Sequence, residues 1–333
     1  MSEPHWIEPS REGIYIRPCD LWVDPSIPKA RVLVTHGHAD HARSGHGHVT
    51  ATPETLAIMR LRYGETESRA VAYRETFDEA GVQISFHPAG HVLGSSQIRF
   101  VYRGETVVIT GDFKRRFDPT CAAFEAVPCD IFITEATFAL PVFRHPPIAG
   151  EIAKLIEAAA QSPDRSVLVG AYALGKAQRV IAELRRAGYH APLYLHGALE
   201  KMCRLYETLG VELGDLRLVS DVTKDELAGQ IILSPPSALS DRWSRRLPDP
   251  ITAMASGWMR SRQRARQRNV ELPLIISDHA DWDELTATLT ELKPAQTWVT
   301  HGSEDALIRW CELRQMKARA LKLVGRAEED EEG

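Results

Sequence analysis

The run Thr35-His36-Gly37-His38-Ala39-Asp40-His41 constrains this chain more than any other feature, because it follows directly on an apolar, β-branched stretch over residues 31–35. Four potential ligands fall within six residues at the end of a predicted strand. Imidazole and carboxylate suit zinc and related divalent ions. A tight turn at a strand end can aim such neighbours toward two adjacent centres. A bare pair of nearby histidines would read as a surface turn, but the complete His-x-His-x-Asp-His pattern behind a strand reads as a metal site. His46 and His48 extend the histidine richness in a Gly-containing segment with no strand behind it, and are read as loop residues.

Three later positions repeat this geometry. His91 lies in Pro88-Ala89-Gly90-His91-Val92-Leu93-Gly94-Ser95, where flanking glycines let the backbone approach a crowded site. Asp112 follows a strand predicted over residues 105–110, and His301 follows one over residues 297–300. Singly each would be an ordinary turn residue; with the first motif they form one constellation. Two metals about 3.5–4 Å apart need a shared ligand, and a carboxylate with two oxygens supplies one, which makes Asp112 the bridging candidate. Such a pair polarises phosphoryl oxygens and lowers the pKa of water toward neutrality, leaving the leaving group to be protonated by another residue.

The organisation along the chain supports a two-part fold. Predicted strands over residues 31–35, 105–110 and 131–134 each end at residues that bind metal or move protons, as active sites at strand ends require. The Pro-rich stretch 141–147 reads as a boundary. Beyond it helices over 151–160 and 176–187 alternate with strands over 166–170 and 193–196, a second, α/β unit. Near Leu272 the first pattern returns, with strands over 274–277 and 297–300. The expected division is therefore a first domain (1–143 and 269–326) interrupted by an insertion (144–268), with an acidic tail (327–333) expected to be a solvated charge run.

Composition removes several classes. Five scattered cysteines, none in a Cys-x-x-Cys pair, argue against a disulfide framework or zinc ribbon and fit a reducing cytoplasm. No apolar stretch near the N-terminus is long enough for a signal peptide or membrane span, so no membrane partner is expected. The net charge of -5 would disfavour a nucleic-acid partner, but the tail and the metal-binding carboxylates account for it, and local basic clusters carry the information.

Together these residues resemble the metallo-β-lactamase superfamily, whose His-x-His-x-Asp-His hallmark is matched by His36, His38, Asp40 and His41. Asp24, ending Leu21-Trp22-Val23-Asp24, matches the superfamily's first Asp, which supports the ligands from behind. His91 and Asp112 match its third and fourth motifs. The resemblance implies an α/β fold, an αββα sandwich, with one metal held by His36, His38, His91 and Asp112 and the other by Asp40, His41, Asp112 and His301. Within the superfamily the chain resembles the β-CASP nucleases, a group that includes RNase J, the cleavage and polyadenylation endonuclease and Artemis-like repair nucleases, and that carries an inserted α/β domain. Glu135 in Thr134-Glu135-Ala136-Thr137-Phe138, His279 in Ser277-Asp278-His279-Ala280-Asp281, and His301 match its three extra motifs. Ala171-Tyr172-Ala173-Leu174-Gly175-Lys176-Ala177-Gln178 resembles a stretch of its inserted domain. Artemis-like members usually lack the third histidine, so His301 aligns this site with the RNA-processing branch. The segment over residues 51–60, with Arg62-Tyr63-Gly64 after it, instead resembles bacterial ligase-associated DNA exonucleases. The resemblance thus implies a nuclease using two divalent ions, zinc or manganese. DNA, as a single strand or strand ends, is the expected substrate of an exonuclease in repair, with DNA ligase and helicase the partners by resemblance; an RNA-processing ribonuclease is the first alternative and a small-molecule metallohydrolase, against which the inserted domain argues, the second.

A general acid must reach the leaving oxygen without being a ligand, and His279 suits that role, with Glu135 by resemblance orienting it. His279 could otherwise cap the helix beginning near Asp281. Lys114, Arg115 and Arg116 directly follow Asp112, so they are expected at the scissile phosphate, Lys114 first. A helix through Arg260, Arg264 and Arg268 would place all three on one face, as a phosphate-tracking stripe or a solvated face. Ser256-Gly257 just before it could offer backbone N–H groups to a phosphate or form a plain turn.

Overall fold

In the computed structural model of the protein, residues 5–321 are described. The acidic tail lies outside them. The chain divides into two compact units, one built from residues up to Arg144 and from His279 onward, the other from His145–Asp278.

The first unit opens with strands β1 (Ile7–Ser10), β2 (Gly13–Ile16), β3 (Leu21–Val23), β4 (Arg31–Leu33) and β5 (His48–Ala51), helix α1 (Pro53–Tyr63), and β6 (Ser68–Ala70). It continues through β7 (Thr76–Glu79), β8 (Val82–Pro88), β9 (Ser96–Tyr102), β10 (Glu105–Ile109) and β11 (Ile131–Ala136). His48 therefore opens a strand, where a loop was expected. The second unit holds α2 (Ile148–Gln161), β12 (Val167–Gly170), α3 (Lys176–Arg186), β13 (Leu193–Leu195), α4 (Gly197–Thr208), β14 (Leu216–Leu218), β15 (Ile231–Ser234), β16 (Ile251–Ala255), the short helix α5 (Arg262–Gln267) and β17 (Leu272–Leu274). The chain then returns to the first unit with α6 (Trp282–Leu292), β18 (Gln296–Gly302), α7 (Glu304–Glu312) and β19 (Ala318–Ala320).

Two sheets form the first unit, one ordered β1-β2-β3-β4-β5-β6 and one β19-β18-β11-β10-β9-β8-β7. The period-two alternation of strands explains how they stack. On β10, Val107 and Ile109 face one way and Val108 the other; on β11, Ile131 and Ile133 oppose Phe132. The first set joins Ile14, Ile16, Leu21, Val23 and Leu33 of the other sheet with Phe86, Phe100 and Trp298 in one buried core between the sheets. Val108, Phe132 and Val299 turn outward onto Trp282, Leu285 and Leu289 of α6 and Leu307 and Cys311 of α7. Val32, Val49 and Ala51 pack outward onto Leu56 and Met59 of α1. The layers are thus helix, sheet, sheet, helix, the αββα sandwich of the metallo-β-lactamase fold, with a second unit inserted in the chain.

The second unit is one parallel sheet, β14-β13-β15-β12-β16-β17. Its central strands Val167–Gly170 and Ile231–Ser234 are buried at every position, as a parallel sheet covered on both faces requires. The strand expected over residues 274–277 lies earlier, at Leu272–Leu274, where it pairs in parallel with β16 as the edge of this sheet. The expected arginine helix is also different. A 3₁₀ turn covers Gly257–Arg260, extended Ser261 interrupts it, and a six-residue helix follows, so Arg260, Arg264 and Arg268 share no continuous helical face. Arg264 lies over the Trp258 ring at 3.8 Å and Arg268 reaches the Met254 sulfur at 3.8 Å.

Candidate metal centre

Apart from His279, the residues of the centre sit where strands of the first unit end: Asp24 after β3, the His36 to His41 turn after β4, His91 after β8, Asp112 after β10, and Glu135 and His301 within the last residues of β11 and β18. Two glycines make the convergence possible. Gly111 has φ +55 and packs against Thr35, where a Cβ would come within 2.5 Å of Oγ1; Gly90, φ +73, would meet the Lys114 carbonyl at 2.2 Å.

Four donors close on one point. His36, His38, His91 and Asp112 each offer an atom within 4.8 Å of the others. His38 Nδ1 lies 3.1 Å from His36 Nε2 and 3.0 Å from His91 Nε2, and Asp112 Oδ2 lies 3.4 Å and 3.7 Å from those same Nε2 atoms. Ligands held tetrahedrally ~2.1 Å from an ion stand roughly 3.4 Å apart, so this spacing fits a small divalent cation. Asp112 Oδ2 also lies 3.3 Å from His41 Nε2, which is in turn 3.3 Å from Asp40 Oδ2. One carboxylate therefore borders both halves of the constellation. His36, Asp40 and His41 form a second donor set, and Asp112, Glu135 and His279 a third. His301, with φ 56, lies at the margin, its ring 5.9 Å from that of His41 and outside the three sets.

The protonation states suit metal binding. Burial pushes His36 down to about 4 and His91 well below the usual imidazole value, which keeps both rings neutral with a lone pair to give. Burial alone would raise Asp112, but His41 and His279 outweigh it and hold the carboxyl well below the usual range. Asp40 is likewise held ionised, with His41 overcoming the effect of burial. Neutral imidazoles with ionised carboxylates are the donor set that zinc and manganese take, and the residues present fit two such ions.

Behind the donors the orientation is fixed by hydrogen bonds. Buried Asp24 accepts from the Thr35 N–H at 2.8 Å and hydroxyl at 2.6 Å, and lies 2.8 Å from His41 Nδ1. Thr35 Oγ1 is also 3.0 Å from His36 Nδ1. Thr35 was not singled out in the sequence, although its place beside the first histidine was the available signal. Glu135 accepts from the Phe113 N–H at 2.7 Å and lies 2.8 Å from His279 Nδ1. Burial raises the Glu135 carboxyl, while His279 works against that. Asp281, not His279, caps α6: its carboxylate accepts from Glu284 N while Glu284 accepts from Asp281 N.

The expected phosphate contacts are where the structure departs most from the sequence reading. Lys114 is buried and paired with Asp118 at 2.6 Å. Glu284 accepts from the Arg115 and Arg116 N–H groups at 2.8 Å and 2.7 Å; the Arg115 side chain meets Thr288 and Glu291, and that of Arg116 meets Asp281. The run after Asp112 is therefore a strut between the site and α6. Ser256 and Gly257 are buried too, the Ser256 hydroxyl accepting from Trp258 N to cap the turn Gly257–Arg260. His46 is held in its loop, accepting from Lys29 N at 3.2 Å.

No family model matches the chain. It is 27% identical over 332 residues to an Opitutus terrae protein named "Probable DNA ligase", an alignment covering 95% of this chain and 31% of that protein. It is 28% identical over 224 residues to the "Endoribonuclease YSH1" of Gibberella zeae, covering 53% of this chain and 27% of that protein. The chain thus spans less than a third of the length of either relative. A crystal structure of a protein of unknown function from Enterococcus faecalis V583 superposes with a TM-score of 0.57 at 12% identity, covering 89% of this chain and 79% of that one, and shares the fold. The relatives and the donor sets support the metallo-β-lactamase superfamily and its β-CASP group for this chain.

Proposed function

We propose that the chain is a two-metal nuclease that hydrolyses phosphodiester bonds. The observation that carries this reading is the position of Asp112 Oδ2, shared between the His36/His91 side and the His41 side, with the Glu135–His279 pair adjoining it. His36, His38, His91 and Asp112 would hold one ion, and Asp40, His41, Asp112 and His301 the other. When bound, a divalent pair supplies Lewis-acid polarisation of the phosphoryl oxygens and a nucleophilic water near neutral pH. The chain's own residues do the rest. Asp24 fixes the His41 ring, and Thr35 ties Asp24 to His36. Glu135, itself anchored by Phe113 N–H, holds His279 through Nδ1, so that Nε2 is the atom that passes a proton to the departing oxygen.

RNA is the better supported strand, since most relatives carry RNA-processing names. The DNA reading, an exonuclease in repair working beside a DNA ligase and helicase, is kept by one observation, the alignment spanning 95% of the chain to a protein named as a DNA ligase. Purified protein supplied with manganese or zinc, incubated with end-labelled RNA and DNA of one sequence and resolved by product length, tests both. Cleavage of the RNA alone or by preference is expected. Products from DNA alone, one nucleotide at a time, would transfer the proposal to the second reading, and uncut strands of both kinds would overturn it.

A further inference from the structure

The residues that follow Asp112 donate their main-chain N–H groups in turn to the surroundings of the site. Phe113 donates to Glu135 Oε1 at 2.7 Å, Lys114 to the Ala89 carbonyl at 3.0 Å, and Arg115 and Arg116 to Glu284 Oε1 at 2.8 Å and 2.7 Å. The Phe113 carbonyl accepts in return from the N–H of Ala280, the residue after His279, at 2.6 Å. Phe113 therefore meets the acid-bearing side twice, through the carboxylate that lies 2.8 Å from His279 Nδ1 and through the main chain beside that histidine. One short segment thus sets the separation between the Asp112 carboxylate and the His279 ring.

Glu284 fixes the far end of that segment. It is the third residue of α6 and buried, and its other oxygen accepts from the Asp281 N–H at 3.1 Å. A glutamate at this helix position ordinarily reaches back to the N-cap main chain; this one also takes two N–H groups from the run behind Asp112. Arg116 closes the arrangement by pairing with the Asp281 carboxylate. Without the Glu284 carboxylate, the Arg115 and Arg116 N–H groups would have to turn to other acceptors, and the register of Phe113 against Ala280 would slip. We propose that Glu284 is a positioning residue for the proton transfer, holding His279 at the distance from Asp112 at which a departing oxygen can take the proton of Nε2. The assignment rests on the nuclease reading and deepens it with a residue that acts through His279.

Leaving groups that differ in their need for a proton test this. In a strand the P–O bond to a sugar breaks and the departing alkoxide takes the proton of His279 Nε2, whereas the p-nitrophenolate leaving bis(p-nitrophenyl) phosphate is stable as the anion near neutral pH. Steady-state hydrolysis of both by the full metal-loaded chain is compared for Glu284→Ala, Glu284→Gln and His279→Ala. Glu284→Ala should lose roughly 10²-fold in kcat on the strand, the loss expected when a reacting group moves by about 1 Å. Its KM, its metal content and its rate on bis(p-nitrophenyl) phosphate should stay close to those of the unaltered chain. Glu284→Gln keeps one oxygen for the Arg115 and Arg116 N–H groups but turns an NH2 toward the Asp281 N–H, so the same split is expected at a smaller size; it decides the matter if the alanine variant does not fold. Amide exchange gives a readout independent of turnover, since the Ala280 N–H should exchange faster in either variant. A folded variant that loses both substrates by one factor, that loses neither, or that leaves Ala280 exchange unchanged would overturn the assignment. His279→Ala separates the two levels. If it lacks the split, or if the unaltered chain cleaves neither substrate, the reading beneath falls and takes Glu284 with it; if His279→Ala shows the split and the Glu284 variants do not, this assignment alone falls.

Discussion

Asp112 is the residue on which the two halves of the site depend, since its Oδ2 lies 3.4 Å from His36 Nε2 and 3.3 Å from His41 Nε2. Asp112→Ala should therefore lose both ions together, and elemental analysis of the purified variant checks it; a fully loaded pair in that variant would remove the bridging role. His279 makes a different prediction. Its ring is held by Glu135 at 2.8 Å, yet it belongs to a donor set with Asp112 and Glu135. As the proton donor, His279→Ala keeps its ions and loses roughly 10²- to 10⁴-fold in rate. Metal loss in step with the rate would make it a ligand. At this scale the sequence was legible wherever a donor ended a strand: His36, His38, Asp40, His41, His91 and Asp112 could each be picked out and are brought together. The partners of Arg115 and Arg116 were not legible, because Glu284 lies more than a hundred residues away in the chain and only the packing of α6 joins them.

Among the elements, the strands β10 and β11 were readable as apolar runs bounded by turns because both of their faces are buried, while which residue faces which layer is decided by the packing. The strand at Leu272–Leu274 was misplaced for a physical reason: in a short apolar run periodicity cannot fix the ends, and the partner β16 decides them. The helix expected through Arg260 failed at Ser261, which adopts extended backbone. One buried cluster in the second unit follows from α3. Lys176 and Arg179 pair with Asp278 at 3.0 Å and 3.1 Å, and Lys176 also donates to the Ile276 carbonyl at 3.0 Å. All three side chains are almost wholly buried. Asp278→Ala leaves two cations without their carboxylate, so a loss of about 3–5 kcal/mol is expected in denaturant unfolding. A change of less than about 1 kcal/mol would show that water reaches the cluster and that its burial contributes little.

For the whole molecule, four histidines are wholly or partly withdrawn from water, at a cost that depends on pH. Burial lowers His36 to about 4 and also lowers His91, His46 and His196 below the usual imidazole value. Below about pH 6.5 the unfolded chain takes up protons that the folded chain refuses, so stability falls as pH falls through that window toward 4. Glu135 and Glu304, both raised by burial, act in the opposite sense, but two carboxyls face four imidazoles. The thermal midpoint of metal-free protein should thus decline between about pH 7 and about pH 5, and a flat or rising midpoint would show that these rings are solvated. Among the described residues no helix is long and apolar enough to cross a membrane. Sharing of Asp112 by two ions in one hydrolytic site is checked by titrating chelator-treated protein with manganese or zinc while following cleavage of a labelled strand. No cleavage is expected in the stripped protein, and full activity only once two ions are bound per chain. Full activity in the stripped protein, or with a single bound ion, would contradict it.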